Sequence, residues 1–396
     1  MILGSLWSLA MTEHRRHLND LGVGVQSTDA DASDPRTWVR ESPGRRTGAP
    51  VIACHDFHRA LPGYALTPLV DCPGLARELG LGRVFVKDES GRFDLPAFKI
   101  LGVAWAVHQA LSQLSGGCPV PWTTRDQMRS AGRAAGDPTL LTATAGNHGR
   151  ALARMAGWLD MRALILVPSD ASRVAVERIE SEGATVRRVD GGYDAAVEEA
   201  AAMSDGDDHH LFVQDTAWPG YAEIPEWIVQ GYDTLFHEVE VQVAGVGGAV
   251  PDVVVVPVGV GSLMSAALRH ADARETGHTS VVSVETDSAP CVLASLKAGR
   301  NLALPTSATA VEALNAGTIS SIAWPAIRDG VDAAVMVSDE MAARAQARLH
   351  EFGVPAGICG GASLAGIAHL LGGGDPGAPW SVDSSSTVVI VSTDGS

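Results

Sequence analysis

From about residue 55 onward, short apolar runs alternate with longer stretches whose apolar residues recur at helical spacing. The runs "RVFVKDE", "TLLTAT", "RALILVP", "ATVRRV", "DVVVVPV" and "TVVIVST" have the length of strands. The purest of them, "DVVVVPV" and "TVVIVST", show no polar alternation, as expected of strands covered on both faces. Between the runs, "AFKILGVAWAVHQAL", "SRVAVERIESEG", "DAAVEEAAAM" and "EIPEWIVQGYDTLFHEV" predict helices. In the last, Ile224, Trp227, Ile228, Tyr232, Leu235, Phe236 and Val239 share one face. The alternation predicts an α/β protein with a mostly parallel sheet and right-handed crossovers.

Three stretches break the pattern. Residues 20–50 are rich in Asp, Ser, Gly and Pro without periodicity and read as an extension with little structure of its own. Residues 115–139 read as a surface insertion, and residues 372–386 as a Gly/Pro/Ser loop before the last strand. At 396 residues the chain exceeds one ordinary core, so two domains or one large α/β body is expected. A net charge of −17 would repel a phosphate backbone and argues against a nucleic-acid partner. Five scattered cysteines, Cys54, Cys72, Cys118, Cys291 and Cys359, lack paired spacing, which points to the cytoplasm rather than to disulfides or zinc. The pairs His14/His17 and His209/His210 lack a second ligand set, so no metal is expected. The opening "MILGSLWSLA" is too short to cross a membrane, and Met11 is an alternative start.

Candidate chemistry begins with glycine-containing turns. Gly146-Asn147-His148-Gly149 follows "TLLTAT", Gly259-Val260-Gly261-Ser262 follows "DVVVVPV", and a third lies in "GICGGASLAGIAHLL". A glycine turn that opens a helix gathers N–H groups and the positive helix end, a seat for phosphate or carboxylate. Each alone is equally a plain connection between strand and helix. The second lacks the third glycine of a dinucleotide fingerprint, which weakens a nicotinamide reading. Lys99, at the start of an apolar helix, is either a snorkelling side chain or a desolvated amine able to form a Schiff base.

Taken together and in order, "VFVKDESGRFDLPAFKILG", "GNHGRALA", "GGYDAAV", "QDTAWPGYAEIPEWIVQGY" and "VGVGSLMSAA" resemble the diaminopropionate ammonia-lyases, pyridoxal-phosphate enzymes of the tryptophan synthase β-subunit fold type. The resemblance implies fold type II: two open, twisted, mostly parallel sheets flanked by helices. It implies a large cofactor domain from residues 51–103 and 210–396, a small domain of residues 104–209, and residues 1–50 outside both. Lys99 would be the Schiff-base lysine and the base on the substrate's α-proton. Gly259, Val260, Gly261 and Ser262 would cradle the cofactor phosphate, Asn147 would bond the 3-hydroxyl, and Ser392 would meet the pyridine nitrogen. Thr144, Ala145, Gly146 and His148 would receive the substrate carboxylate. Asp215, otherwise a turn or capping aspartate, would stand near the departing β-amino group. The implied reaction is β-elimination through an aminoacrylate, taking L-2,3-diaminopropionate to pyruvate and ammonia in a cytoplasmic homodimer. A serine/threonine dehydratase, a β-replacement enzyme and a cofactor-binding pseudoenzyme are the alternatives.

Two positions depart from the family pattern. Ala145 stands where an aspartate commonly serves as base for the D-isomer, and Cys359 where an acidic residue is usual. Alanine takes no proton, so Lys99 would be left as the only base and the L-isomer preferred. Cys359 reads as a small buried filler. Glu223 and Glu226 suit the positive end of a helix, and Trp218 and Tyr221 read equally as pocket lining or packing.

Overall fold

The computed structural model describes residues 34–40, 44, 54–117, 121–206, 209–247, 250–273, 278–372 and 382–395. His14, His17, both candidate starts, Cys118 and most of the 372–386 loop lie outside the described residues.

Two sheets organise the chain. The larger runs in the order β1 (Thr37–Val39), β10 (Ala333–Val337), β9 (Ser280–Thr286), β8 (Val253–Pro257), β11 (Thr387–Ser392), β3 (Arg83–Asp88) and β2 (Leu69–Asp71). Its five inner strands are parallel, and the short edge strands β1 and β2 are antiparallel to their neighbours. The smaller sheet runs β6 (Thr185–Val189), β5 (Ala163–Pro168), β4 (Thr139–Ala143) and β7 (His210–Phe212), all parallel. Every residue of β8 and all but the first of β11 are buried, which is why their sequences show no alternation. Strand β1 falls in the segment read as an unstructured extension. Pairing to β10 supplies the order that its own sequence lacks.

The helices, in chain order, begin with α1 (His55–Ala60), α2 (Pro73–Leu79), α3 (Ile100–Leu114) and α4 (Arg125–Ala134). Next come α5 (Asn147–Leu159), α6 (Arg173–Glu180), α7 (Tyr193–Gly206), α8 (Glu223–Gly245) and α9 (Ser262–Asp272). The last are α10 (Cys291–Ala298), α11 (Trp324–Gly330), α12 (Asp339–Glu351) and α13 (Ile358–Gly372). Helices α3 and α8 cross at two glycines: a Cβ on Gly102 would meet the Tyr232 ring at 2.6 Å, and one on Gly231 the Leu101 carbonyl at 2.6 Å.

Three sequence expectations are corrected here. Residues 115–139 are not merely a surface insertion, because they contain α4, opened by a Thr124–Gln127 capping box, and bury Trp122 and Met128. The stretch "GICGGASLAGIAHLL" is helix α13 rather than a turn after a strand. Its glycines allow close contact, Gly361 against the Ala342 carbonyl of α12 and Gly360 against Ser392. The sequence division also cuts α3 between residues 103 and 104 and places β7 with the larger unit, whereas β7 pairs with β4.

The strand order brings the chemistry together. Strands β3, β11 and β8 are neighbours, and Ile390 pairs with Val86 on one side and Val255 on the other. Their carboxyl ends deliver the loop to Lys99, the segment at Ser392 and the Gly259 turn to one edge. In open α/β sheets that edge is where ligands bind.

Candidate active site

The lysine arrives on a tightly held loop. Arg92 is buried and reaches Glu89 at 2.7 and 2.8 Å and Glu238 of α8 at 2.7 Å through two nitrogens. Lys87 also reaches Glu238, at 2.7 Å. Phe93 and Asp94 then adopt left-handed backbone at φ 53° and 60°, a conformation that is costly for side-chain-bearing residues. Arg154 of α5 holds the Phe93 carbonyl at 2.9 Å and is itself paired with Glu182 at 2.7 Å. Further on, Ala97 bridges Asp394, and the Phe98 N–H meets the Thr393 carbonyl at 3.4 Å.

Lys99 sits just before α3, where a cation faces the positive end of the helix. Asp215 compensates, with its Oδ2 2.8 Å from the Lys99 Nζ. Burial pulls the Lys99 ammonium down, but Asp215 and Tyr232 outweigh it and hold its pKa above the ordinary value. Burial likewise pushes Asp215 up, yet Lys99 and His148 bring its carboxyl down to about 2. Both groups of the pair are therefore charged at neutral pH.

Asp215 is braced from three sides. The preceding Gln214 accepts the Thr142 hydroxyl at 2.7 Å and the Ala143 N–H at 3.1 Å. The Gln214 N–H donates to the Tyr221 hydroxyl, which donates to the Phe212 carbonyl, both at 2.9 Å. The Ser262 hydroxyl, at the start of α9, donates to the Asp215 carbonyl at 2.9 Å. His148 donates through Nε2 to the Val213 carbonyl at 2.8 Å, which leaves Nδ1 a bare acceptor 3.9 Å from the Asp215 carboxylate. Burial holds the His148 pKa below its ordinary value.

The turn after β4 is locked by the Gly146 N–H on the Thr144 hydroxyl at 3.0 Å, and Asn147 opens α5. Ala145 sits half-buried in that turn and carries no titratable group. In the turn after β8, Gly261 has φ 94°, and a Cβ on Gly259 would stand 2.9 Å from the Ala313 carbonyl. Only glycine suits either position, and the backbone is left clear at a helix start whose first N–H groups lack intrahelical partners. Ser392, fully buried at the end of β11, faces Gly360 with no room for a Cβ between them. An amine, an N–H-lined anion seat, an amide and a buried hydroxyl form a donor set that fits a phosphorylated pyridine aldehyde.

Lys99, Asp215, His148 and Ser262 are thus linked by direct contacts, while Ser392 meets the lysine segment through Asp394 and the neighbouring backbone. Sequence reading missed Tyr232, whose ring lies 5.9 Å from the Lys99 Nζ, together with Gln214 and Asp394. For Tyr232 the signal was its place on the apolar face of α8. Trp218 and Tyr221 stack with centroids 4.6 Å apart and brace the Asp215 segment. Glu223 accepts from Gln113 at 2.9 Å, and Glu226 pairs with Arg269 at 3.0 Å, both in the first turn of α8. Cys359 is buried, and burial pushes its thiol well above the usual value, which disfavours the thiolate. Among the described residues, no group of three or more His, Cys, Asp or Glu side chains is placed to hold a metal. Among the same residues, no helix is long and apolar enough to cross a membrane.

Comparison with known proteins agrees with this geometry. The model of the pyridoxal-phosphate dependent enzyme family matches residues 60–394. The diaminopropionate ammonia-lyase of Salmonella typhimurium is 34% identical over 300 residues, 73% of this chain and 72% of that one. The Escherichia coli diaminopropionate ammonia-lyase in complex with D-serine superposes with a TM-score of 0.81 at 28% identity, covering 91% of this chain and 93% of its own. The same enzyme with an aminoacrylate–cofactor reaction intermediate gives a TM-score of 0.79 over the same shares. The Homo sapiens L-serine dehydratase/L-threonine deaminase is more distant, at 24% over 316 residues, 78% of this chain and 84% of its own. A lysine–aspartate pair at the carboxyl edge of the large sheet, with the Gly259–Ser262 turn at the same edge, thus sits in a chain that belongs to the pyridoxal-phosphate dependent enzymes and, within them, to the diaminopropionate ammonia-lyase family.

Proposed function

We propose that the protein removes the β-amino group of L-2,3-diaminopropionate by β-elimination, releasing pyruvate and ammonia. The observation that carries this reading is the Lys99–Asp215 pair, 2.8 Å apart, at the edge where β3, β8 and β11 end. When bound, pyridoxal phosphate supplies an aldehyde carbon for amines and a ring that takes up the electron pair left by the departing α-proton.

The residues of the chain supply the rest. The N–H groups from Gly259 to Ser262 would hold the phosphate, Asn147 would bond the ring hydroxyl, and the neutral Ser392 hydroxyl would meet the ring nitrogen. Thr144, Ala145, Gly146 and His148 receive the substrate carboxylate at the start of α5. Lys99 holds the cofactor and then takes the α-proton. Asp215, an anion at neutral pH, favours the ammonium form of the β-nitrogen, and ammonium leaves where an amide ion would not. His148, neutral with Nδ1 open, accepts a proton or a hydrogen bond beside that carboxylate. Ala145 offers no base, so proton removal rests on Lys99 alone. The same reading carries a homodimer working in the cytoplasm.

Pyruvate release from L- and D-2,3-diaminopropionate, assayed separately with the cofactor-loaded protein, tests the proposal. Release from L and not D is expected. Release from both overturns the one-base account, and release from neither overturns the substrate.

A further inference from the structure

The reading above leaves one acid at the site without a task. Asp394 stands two residues beyond Ser392, and three segments meet on it. Its backbone bridges Ala97, two residues before Lys99. Its carbonyl accepts the Gly357 N–H at 2.7 Å and lies 3.5 Å from the Ser392 hydroxyl. Its side chain turns toward the first turn of α13. A Cβ on Gly357 would stand 2.5 Å from the Asp394 Cγ and 2.6 and 2.7 Å from its two oxygens, so the carboxyl fills the room that a side chain at 357 would need. The Cys359 thiol and the N–H groups of Cys359 and Gly360 lie against that carboxyl. Gly360, in turn, abuts the Ser392 Oγ. The Oδ1 atom is buried and makes no hydrogen bond of good geometry. The carboxyl thus plugs the first turn of α13 from another segment, where burial works against its ionised form.

We propose that Asp394 is a positioning residue of the reaction: it clamps the first turn of α13 to the closing strand and so fixes the Ser392 hydroxyl and the lysine segment around the cofactor ring. The inference rests on the reading of Ser392 as the partner of the ring nitrogen. It has a spectroscopic consequence. Burial pushes the Asp394 carboxyl up to about 6, with the Cys359 thiol and the nearby N–H groups opposing. The titratable groups facing this joint are Cys359 from α13, held neutral by burial, and Lys99 from the start of α3. An acid raised in this way favours the folded state when protonated, and its contribution fades as pH rises through about 6. The joint therefore loosens across that pH.

The test loads the full chain with pyridoxal phosphate. It measures cofactor affinity by titration and follows the lysine-bound absorbance band against pH, for the wild type, Asp394→Ala and Asp394→Asn. The wild-type band is expected to show an inflection near pH 6 that both variants lack. Asp394→Ala should bind the cofactor about tenfold or more weakly, the loss of one buried polar contact at the joint. Asp394→Asn should recover most of the affinity, because an amide oxygen still accepts from the first turn of α13. A flat wild-type profile, an inflection that survives in either variant, or wild-type affinity in Asp394→Ala would overturn the proposal. If Asp394→Ala does not fold, the Asp394→Asn profile decides alone. A wild type with no cofactor band at all would instead sink the proposed function.

Discussion

At the scale of single residues, the site is governed by one ion pair that works against its surroundings. Lys99 faces the positive end of α3, which disfavours a cation, and Asp215, helped by Tyr232, holds it charged. The sign of each contribution follows from its shift. Lys99 is raised, so its stabilisation is present below the ordinary lysine value and lost as pH climbs through the folded one. Asp215 is lowered, so its stabilisation is present above the ordinary aspartate value and lost as pH falls through about 2. In the cofactor-free protein the pair therefore contributes fully between about pH 4 and pH 10. In Asp215→Asn, burial is opposed by Tyr232 alone of the pair that raises the amine, and its pKa drops. The pH midpoint for cofactor attachment to Lys99, followed by absorbance, should move down by about one unit or more. An unmoved midpoint would show that another group holds the ammonium. Lys99, Asn147, Asp215 and Gly261 could be singled out in the sequence because each lies in a short segment that resembles the family's. Asp394 and Tyr232 could not, because what places them is the neighbour relation of strands and helices far apart along the chain.

At the scale of elements, the crossing of α3 and α8 joins the lysine to the aromatic wall of the site. Alanine in place of a mid-helix glycine ordinarily stabilises by about 0.5–1 kcal/mol. At Gly102 the added Cβ would lie 2.6 Å from the Tyr232 ring and 2.8 Å from Ile228. Overpacking of that kind costs about 1–3 kcal/mol, so the steric effect wins. Gly102→Ala should lower the melting temperature and, by displacing Tyr232 near Lys99, lower kcat more than it changes KM. A variant more stable than the wild type would show that the crossing relaxes freely. The buried strands were the most legible elements, since five or more consecutive apolar residues fit few other places. Helix α4 was missed because its sequence, "RDQMRSAGRA", buries few side chains and signals itself mainly through the Thr124 cap.

At the scale of the whole molecule, a buried charge network ties the large sheet to the lysine loop and to α8. Lys87, Glu89, Arg92 and Glu238 are at most 2% exposed, and Thr67 and Tyr64 fill the remaining hydrogen bonds of the carboxylates. Burial pushes Glu238 up, but Arg92 and Lys87 bring it down to about 2, so its contribution is present above the ordinary glutamate value and lost as pH falls through about 2. Glu238→Gln leaves two buried cations sharing one carboxylate, and urea unfolding should register a loss of about 3–5 kcal/mol at neutral pH. A loss below about 1 kcal/mol would mean that water or rearrangement relieves the charge. The sequence showed charged residues in "VKDESGRFD" but not that their partner lay on α8, because that pairing exists only after the sheet is covered.

The place of β11 in the large sheet bears on how the molecule comes into being. Among the described residues it is the latest strand in chain order, yet it lies between β8 and β3 rather than at an edge. A nascent chain that has emerged only as far as Ser386 already holds the lysine loop, the Asn147 turn and the anion seat, but in two half-sheets with nothing between them. Such a chain exposes two long unpaired strand edges, the kind of surface that chaperones shield and neighbouring chains aggregate on. Completion of the active site and closure of the sheet thus wait on the same strand.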